Sequence, residues 1–161
     1  YNLRTVLENC RLLARAGFRE HVSVNYSFNV IDERPETIRQ TVAYHRELER
    51  IFGADKVEPA IFFIGLQPHT HLEQYGFDQG LIKPGYNPMS MLPWTARQLL
   101  WNPEPMGSTF GRICLEAFER NPGDFGRTVM DLLERDYGLA PLEEALHAPV
   151  EGRKALATAT R

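Results

Sequence analysis

The chain has 161 residues, of which 43% are apolar, 24% charged and 11% aromatic, and its formal net charge is −3. These are ordinary globular values, which exclude disorder and collagen-like repeats, and 18 basic against 21 acidic residues leave no electrostatic footprint for nucleic acid or an anionic membrane. No apolar run approaches the roughly 18 residues of a membrane span, nothing at the N-terminus reads as a secretory leader, and two cysteines, Cys10 and Cys114, build no disulfide framework and suit a reducing cytoplasm.

Leu3, Val6, Leu7, Cys10, Leu13 and Ala14 recur at helical spacing opposite Arg4, Glu8, Arg11 and Arg15, and Gly17 follows as a stop. The chain opens on Tyr1 rather than Met and runs straight into this helix, so Tyr1 reads as a cut point in a longer polypeptide. Residues 21–30, HVSVNYSFNV, alternate Val22, Val24, Tyr26, Phe28 and Val30 with polar residues, the pattern of a strand with one wet or ligand-facing side. Pro35 suits a first helical turn, and Ile38, Val42, Leu48 and Phe52 mark a helix that stops before Gly53. Residues 57–66, VEPAIFFIGL, contain the continuous run Ile61-Phe62-Phe63-Ile64, which fits a strand buried on both faces of a parallel sheet. Strand, helix and strand within ~45 residues make a βαβ unit.

From Gln67 to Pro105 proline and glycine are frequent, predicting a long loop region with one short helix over residues 93–101. Phe110, Ile113, Cys114, Ala117 and Phe118 form the inner stripe of a following helix. Asn121 as cap and Pro122 as first residue start another, with Phe125, Val129, Leu132 and Leu133 inward and Gly138 as its end. A short last helix spans residues 141–147, and the tail after Val150 reads as frayed. The segments offer no obvious third strand, although two parallel strands alone make no sheet. The expected fold class is therefore α/β, a βαβ unit from a larger fold followed by a helix-rich C-terminal region.

Candidate chemistry is sparse. His69 and His71 flank Thr70 just past the second strand, where parallel sheets place ligands; with Glu73 they are a possible metal set, against the simpler reading of surface or capping histidines. Asp32 and Glu33 follow the first strand and suit acid–base work, or merely lead into a helix N-terminus that favours negative charge. Cys10 and Cys114 read as core residues, His45 as a packing or edge residue, and Trp94 and Trp101 as a helix face against the core rather than a stacking platform. There is no GxGxxG, GxxxxGK[ST] or GxSxG motif. Asn25, Ser27 and Asn29 line the polar side of the first strand although Asn and Ser are poor strand formers; that face is either a ligand-facing lumen or a solvated strand side.

The order of these pieces resembles the radical S-adenosylmethionine enzymes, iron–sulfur oxidoreductases built on a partial (β/α)6 barrel. The segment NVIDERPETIRQT at 29–41 looks like the turn and helix that follow that family's fifth strand. The apolar run ending at Leu66, then QPHTHLE at 67–73 and Gly80-Leu81-Ile82, is similar to the sixth strand and its loop. The resemblance covers residues 1–82 as the last βα units, leaving 83–105 as a Pro/Gly-rich connection, 106–150 as C-terminal helices and 151–161 as a disordered tail.

The resemblance implies the C-terminal part of such an oxidoreductase, inactive alone. A [4Fe-4S] cluster, S-adenosylmethionine and, by association, cobalamin would be used by the longer polypeptide, with the cluster held upstream. The family's CxxxCxxC is absent here, Asn29 stands where many members have Gly, and Asp32-Glu33-Arg34 replaces Pro-Gly-Glu. By position Asn25, with Ser27 and Asn29 on its face, would contact the ribose or methionyl end of the cofactor, and Leu66 and Gln67 would flank the adenine. No catalytic residue and no metal ligand is assigned to this chain. The implied partners are the N-terminal remainder of the same polypeptide and a small-molecule substrate, with self-association of the fragment. The competing reading is a non-enzymatic, helix-rich α/β binding domain that uses the Pro/Gly-rich region as its surface; a small hydrolase using Asp32, Glu33 and His69 is a third.

Overall fold

The structure, a computed structural model, describes residues 2–83, 85–87 and 100–147. Helix α1 (Leu3–Arg15) starts on Asn2, whose Oδ1 accepts the N–H of Arg4 at 3.0 Å and of Thr5 at 3.5 Å. These are amides that the helix itself leaves without acceptors. Of its apolar stripe, Leu7 is fully buried, against Leu48 and Val57, whereas Leu13 stays exposed because only the middle of α1 reaches the sheet layer.

Strands β1 (Val22–Phe28) and β2 (Val57–Gly65) pair in parallel, in register from Val22↔Val57 to Phe28↔Phe63. Helix α2 (Pro35–Phe52) connects them, with proline in its first turn and Gly53 closing it at φ 101°, a backbone that side chains resist. A third strand, β3 (Leu100–Trp101), pairs antiparallel to the end of β2 through Ile64↔Trp101 and Gly65↔Leu100. The sheet order is β1-β2-β3. Two expectations are thereby corrected: a third strand exists, and residues 100–101 are strand rather than the end of a helix. Tertiary pairing with β2, not local periodicity, decides a strand this short. Trp94 and the rest of the expected helix, 93–99, lie outside the described residues, as does the tail 151–161.

Helices α3 (His71–Asp78), α4 (Met106–Arg120), α5 (Phe125–Tyr137) and α6 (Leu142–His147) complete the described chain. The main core lies between one sheet face and α2, α4 and α5, where Tyr26 and Phe28 meet Ile38, Val42, Phe110, Ile113, Val129 and Leu133. Phe118, expected on the inner stripe of α4, is 61% exposed, because Phe110, Ile113 and Ala117 already fill the contact. Asn121 does not cap α5 with its side chain. A 3-10 turn (Pro122–Asp124) intervenes, and the Asn121 carbonyl accepts the Asp124 N–H at 3.2 Å. Arg46 ties α2 to α5 by donating to Asp131 at 2.5 Å and Glu134 at 2.6 Å. Gly126 lets α5 lie directly on β2, since a Cβ there would overlap the carbonyl oxygen of Pro59.

The opposite sheet face carries Ser23, Asn25 and Ser27 of β1, exposed, beside Glu58, Ala60 and Phe62 of β2. Phe62 is 51% exposed. The expectation that Ile61-Phe62-Phe63-Ile64 is buried on both sides is thus corrected. The helices packed on the sheet cover the side of Tyr26, Phe28 and Pro59, and strand alternation leaves every second residue outside. The described residues form a mixed α/β fold with a small sheet and a majority of helix. No helix among them is long and apolar enough to cross a membrane.

Candidate functional site

The carboxyl ends of β1 and β2 gather the unusual backbone of this molecule. Asn29 (φ 56°), Asp32 (φ 65°) and His69 (φ 62°) are left-handed non-glycine residues, and all three lie in the loops that leave those two strands. Asn and Asp tolerate this conformation better than most residues, and such positions concentrate where loops are over-determined by their surroundings.

Asn29 is buried and bridges two distant segments. Its Nδ2 donates to Asn102 Oδ1 at 2.6 Å and to the Pro103 carbonyl at 3.0 Å. Asn102 Nδ2 in turn donates to the Gly107 carbonyl at 3.1 Å, fixing the start of α4. Glu33 accepts the Thr37 hydroxyl, and burial pushes its carboxyl above the ordinary range against the pull of that hydrogen bond and of nearby backbone amides.

At the β2 exit, Thr70 Oγ1 accepts the Glu73 N–H at 3.3 Å, and Glu73 Oε2 accepts the His69 N–H at 2.8 Å. This reciprocal cap starts α3. His69 and His71 are exposed, and Glu73 is spent on backbone rather than on a shared ligand. Among the described residues no three His, Cys, Asp or Glu side chains come together as a metal set.

Two adjoining cavities open at this end. The larger, about 280 Å3, is walled by Leu66, Leu81, Ile82, Lys83, Tyr86, Leu100, Trp101, Asn102 and Pro103. The smaller, about 200 Å3, is lined by Asn29, Asp32, Glu33, Tyr75, Glu104 and Met106 among others, and shares Leu81, Trp101 and Pro103 with the first. Trp101 is 3% exposed and stands between them, its ring 5.9 Å from that of Tyr75. Gly76 of α3 admits this packing, because a Cβ there would press on Ile82 and approach Trp101. Among the described residues, neither the Trp101 Nε1 nor the Tyr86 hydroxyl, both buried, has a hydrogen-bond partner.

The sequence candidates therefore separate. Leu66 walls the larger cavity and Asn29 the smaller. Gln67 is exposed, its carbonyl accepting the Thr70 hydroxyl at 2.7 Å. Asn25 and Ser27 line neither cavity and stay on the bare sheet face. Asn29 does not share that face, a correction to the simple alternation: β1 ends at Phe28, and the left-handed turn swings the Asn29 amide towards Asn102. Tyr86 and Asn102 were not among the sequence candidates, and Trp101 was read only as part of a helix face against the core; the one signal was the density of proline after Ile82. Cys10 and Cys114 are half-buried, and burial pushes both thiols up.

No family model matches the chain, and no curated protein and no solved structure matches it.

Proposed function

We propose that this chain supplies the later part of a radical-S-adenosylmethionine-type partial barrel, the fifth and sixth strands with their helices, in a longer cytoplasmic oxidoreductase. The observation that carries the reading is the one-sided cover of a parallel strand pair. Helices pack on one face of β1 and β2, while the other presents Asn25 and Ser27 level with Ala60 and Phe62. Parallel sheets are normally covered on both faces, and in a partial barrel the bare face is the lumen.

The residues fit the cofactors unequally. Asn25 and Ser27 are exposed and offer an amide and a hydroxyl to a sugar or amino-acid group without adding charge. Asn29 does not fit that role, because its amide is committed to Asn102 and Pro103. An iron–sulfur cluster does not fit this chain. Cluster ligation takes three or four thiolates, and only Cys10 and Cys114 are present, each with a thiol raised by burial. S-adenosylmethionine, reduced by a cluster held elsewhere in the polypeptide, would supply the radical chemistry. This chain's part is to bind and orient the cofactor's polar end and to wall the substrate space.

The test uses the longer polypeptide, reconstituted anaerobically with iron and sulfide and assayed for 5′-deoxyadenosine. Asn25→Ala is expected to weaken S-adenosylmethionine binding by about 1–3 kcal/mol in calorimetry, the cost of an unpaired buried partner, with the cluster absorbance unchanged. No cluster and no 5′-deoxyadenosine would leave the α/β binding-domain reading in its place. A cofactor affinity indifferent to Asn25→Ala would make the polar face a solvated strand side.

A further inference from the structure

We infer that the outer face of α4 is a self-association surface whose occupant is the antiparallel α4 of a second copy of this chain. Leu115 and Phe118 are the two most exposed large apolar side chains among the described residues, at 60% and 61%. Both sit on α4, three residues apart, on the side away from the Phe110, Ile113 and Ala117 that face the core. Gly111 lies one turn before Leu115, exposed and with no atom within 4 Å of the place its Cβ would take. Apolar side chains bared side by side mark a contact surface, unlike the single ones scattered over any protein. Leu115 and Phe118 line neither cavity and belong to no strand, so the pairing is independent of the cofactor reading above.

The flanks of this stripe are complementary to themselves. At 3.6 residues per turn, Phe118 and Gly111 fall to one side of Leu115, by roughly 60° and 40°, and Arg112 and Glu119 fall to the other by the same amounts. An antiparallel two-fold through Leu115 reverses the chain direction and keeps each flank on its own side. Leu115 then meets its own copy. Phe118, three residues after the axis, comes level with Gly111 of the second copy, four residues before it, and the bare glycine seats the ring. On the other flank Glu119 comes level with Arg112 of the second copy in the same way. Glu119 is exposed, and Arg112 spends only two of its N–H groups, on Glu116 and Asp136, so others remain for a carboxylate. A parallel pair would bring Arg112 level with Arg112 and Glu119 with Glu119. Charge and shape therefore both select the antiparallel arrangement, which the helix dipoles also favour. A two-fold contact closes on itself at two copies. One helix from each copy buries less than the roughly 1,200 Å2 of a standard interface, so the dimer is weak and reversible.

Single cysteines locate the axis, in the 161-residue chain with Cys10 and Cys114 first replaced by alanine. Leu115→Cys places a thiol on the two-fold, within disulfide reach of its own copy, whereas two Ser108→Cys thiols, each seven residues from the axis, sit about 20 Å apart. Oxidised with copper–phenanthroline, Leu115→Cys should give the covalent dimer about tenfold faster than Ser108→Cys, because pairing raises the effective thiol concentration. Adding Gly111→Glu should slow the Leu115→Cys linking about tenfold, by setting a carboxylate against the Phe118 ring. That substitution leaves the fold intact, because the space at Gly111 is open. Sedimentation of the chain with its native cysteines carries the test even if the alanine background folds poorly. Phe62→Lys first disables the bare sheet face; the association that remains should stop at two copies and be lost on adding Phe118→Glu. Equal linking of Leu115→Cys and Ser108→Cys overturns the inference, as does linking indifferent to Gly111→Glu. So does a Phe62→Lys chain whose association survives Phe118→Glu, or one that is a monomer throughout, the result expected if another stretch of polypeptide covers α4.

Discussion

The Asn29 amide donates to Asn102 Oδ1 at 2.6 Å, joining the end of β1 to the residue that follows β3. The same Asn29 holds φ at 56°. A left-handed turn and a long-range hydrogen bond thus reside in one side chain, and together they seat the cavity wall on the sheet.

Two substitutions separate these effects. Asn29→Gly keeps the backbone and deletes the bridge, and should lower the unfolding free energy by about 1–3 kcal/mol through the unpaired Asn102 and Pro103 oxygens. Asn29→Ala adds the steric cost of a left-handed Cβ, roughly 1–2 kcal/mol more. Urea midpoints with unchanged slopes measure both. Coincident midpoints for the parent and the Gly variant would mean that the bridge contributes no more than glycine gains by relieving the left-handed backbone.

What the sequence disclosed follows the range of the forces involved. The inner face of β1 was legible because Val24, Tyr26 and Phe28 alternate, and Tyr26 and Phe28 are indeed buried in the core. The helices α2, α4 and α5 were legible from periodicity, down to Pro35 in its first turn. Strand β3 was not, because two residues carry no period and only the ladder to Ile64 and Gly65 defines them. Asn29 was visible as a polar residue at a strand end, but the sign of its φ is invisible to alternation, so its face was misjudged. Trp101 was seen as core-facing without its missing acceptor, since hydrogen-bond satisfaction is a property of the assembled fold.

Glycine contacts give the second prediction. Gly126→Ala would drive a methyl into the Pro59 carbonyl and force α5 off β2, costing about 1–3 kcal/mol or more, as overpacking does. Gly111 lies on the exposed side of α4 with no atom near its missing Cβ. Gly111→Ala should therefore stabilise by about 0.5–1 kcal/mol through helix propensity alone. Thermal denaturation of the two variants side by side checks the pair: a Gly126→Ala variant as stable as the parent would contradict the packing of α5 on β2, and a destabilised Gly111→Ala would contradict the open surface at that position.

His45 gives the third. It is fully buried on α2, its Nδ1 3.1 Å from the Tyr26 hydroxyl and its Nε2 3.4 Å from Glu49 Oε1. Burial lowers its pKa from 6.5; Arg46 and Arg127 push the same way, and Glu49 and Asp131 push back. The unfolded chain therefore takes up this proton at a higher pH than the folded one. The resulting stability is present above about pH 6.5 and is lost as the pH falls through that value towards the folded pKa. Unfolding free energy should fall on acidification in this window, before the ordinary carboxylates titrate, and His45→Gln should flatten the fall. An equally steep slope in the variant would assign the effect to other groups.

The bare sheet face gives the last. Phe62 projects from it, 51% exposed, beside Ser27 in the parallel register. Among the described residues β1 has no partner on its outer side, which leaves its edge hydrogen-bonding groups open to them as well. An uncovered parallel pair with an aromatic on its surface favours association through face or edge. The 161-residue chain on its own is expected to sediment with a concentration-dependent mass. Phe62→Lys places a charge where the apolar contact would form, without touching the core on the Tyr26 side, and should shift the chain towards monomer at equal stability. The outcome against this is a parent chain that sediments as a clean monomer at high concentration, or a Phe62→Lys variant that associates just as strongly. The first would show that the face tolerates water, and the second would move the contact to the β1 edge.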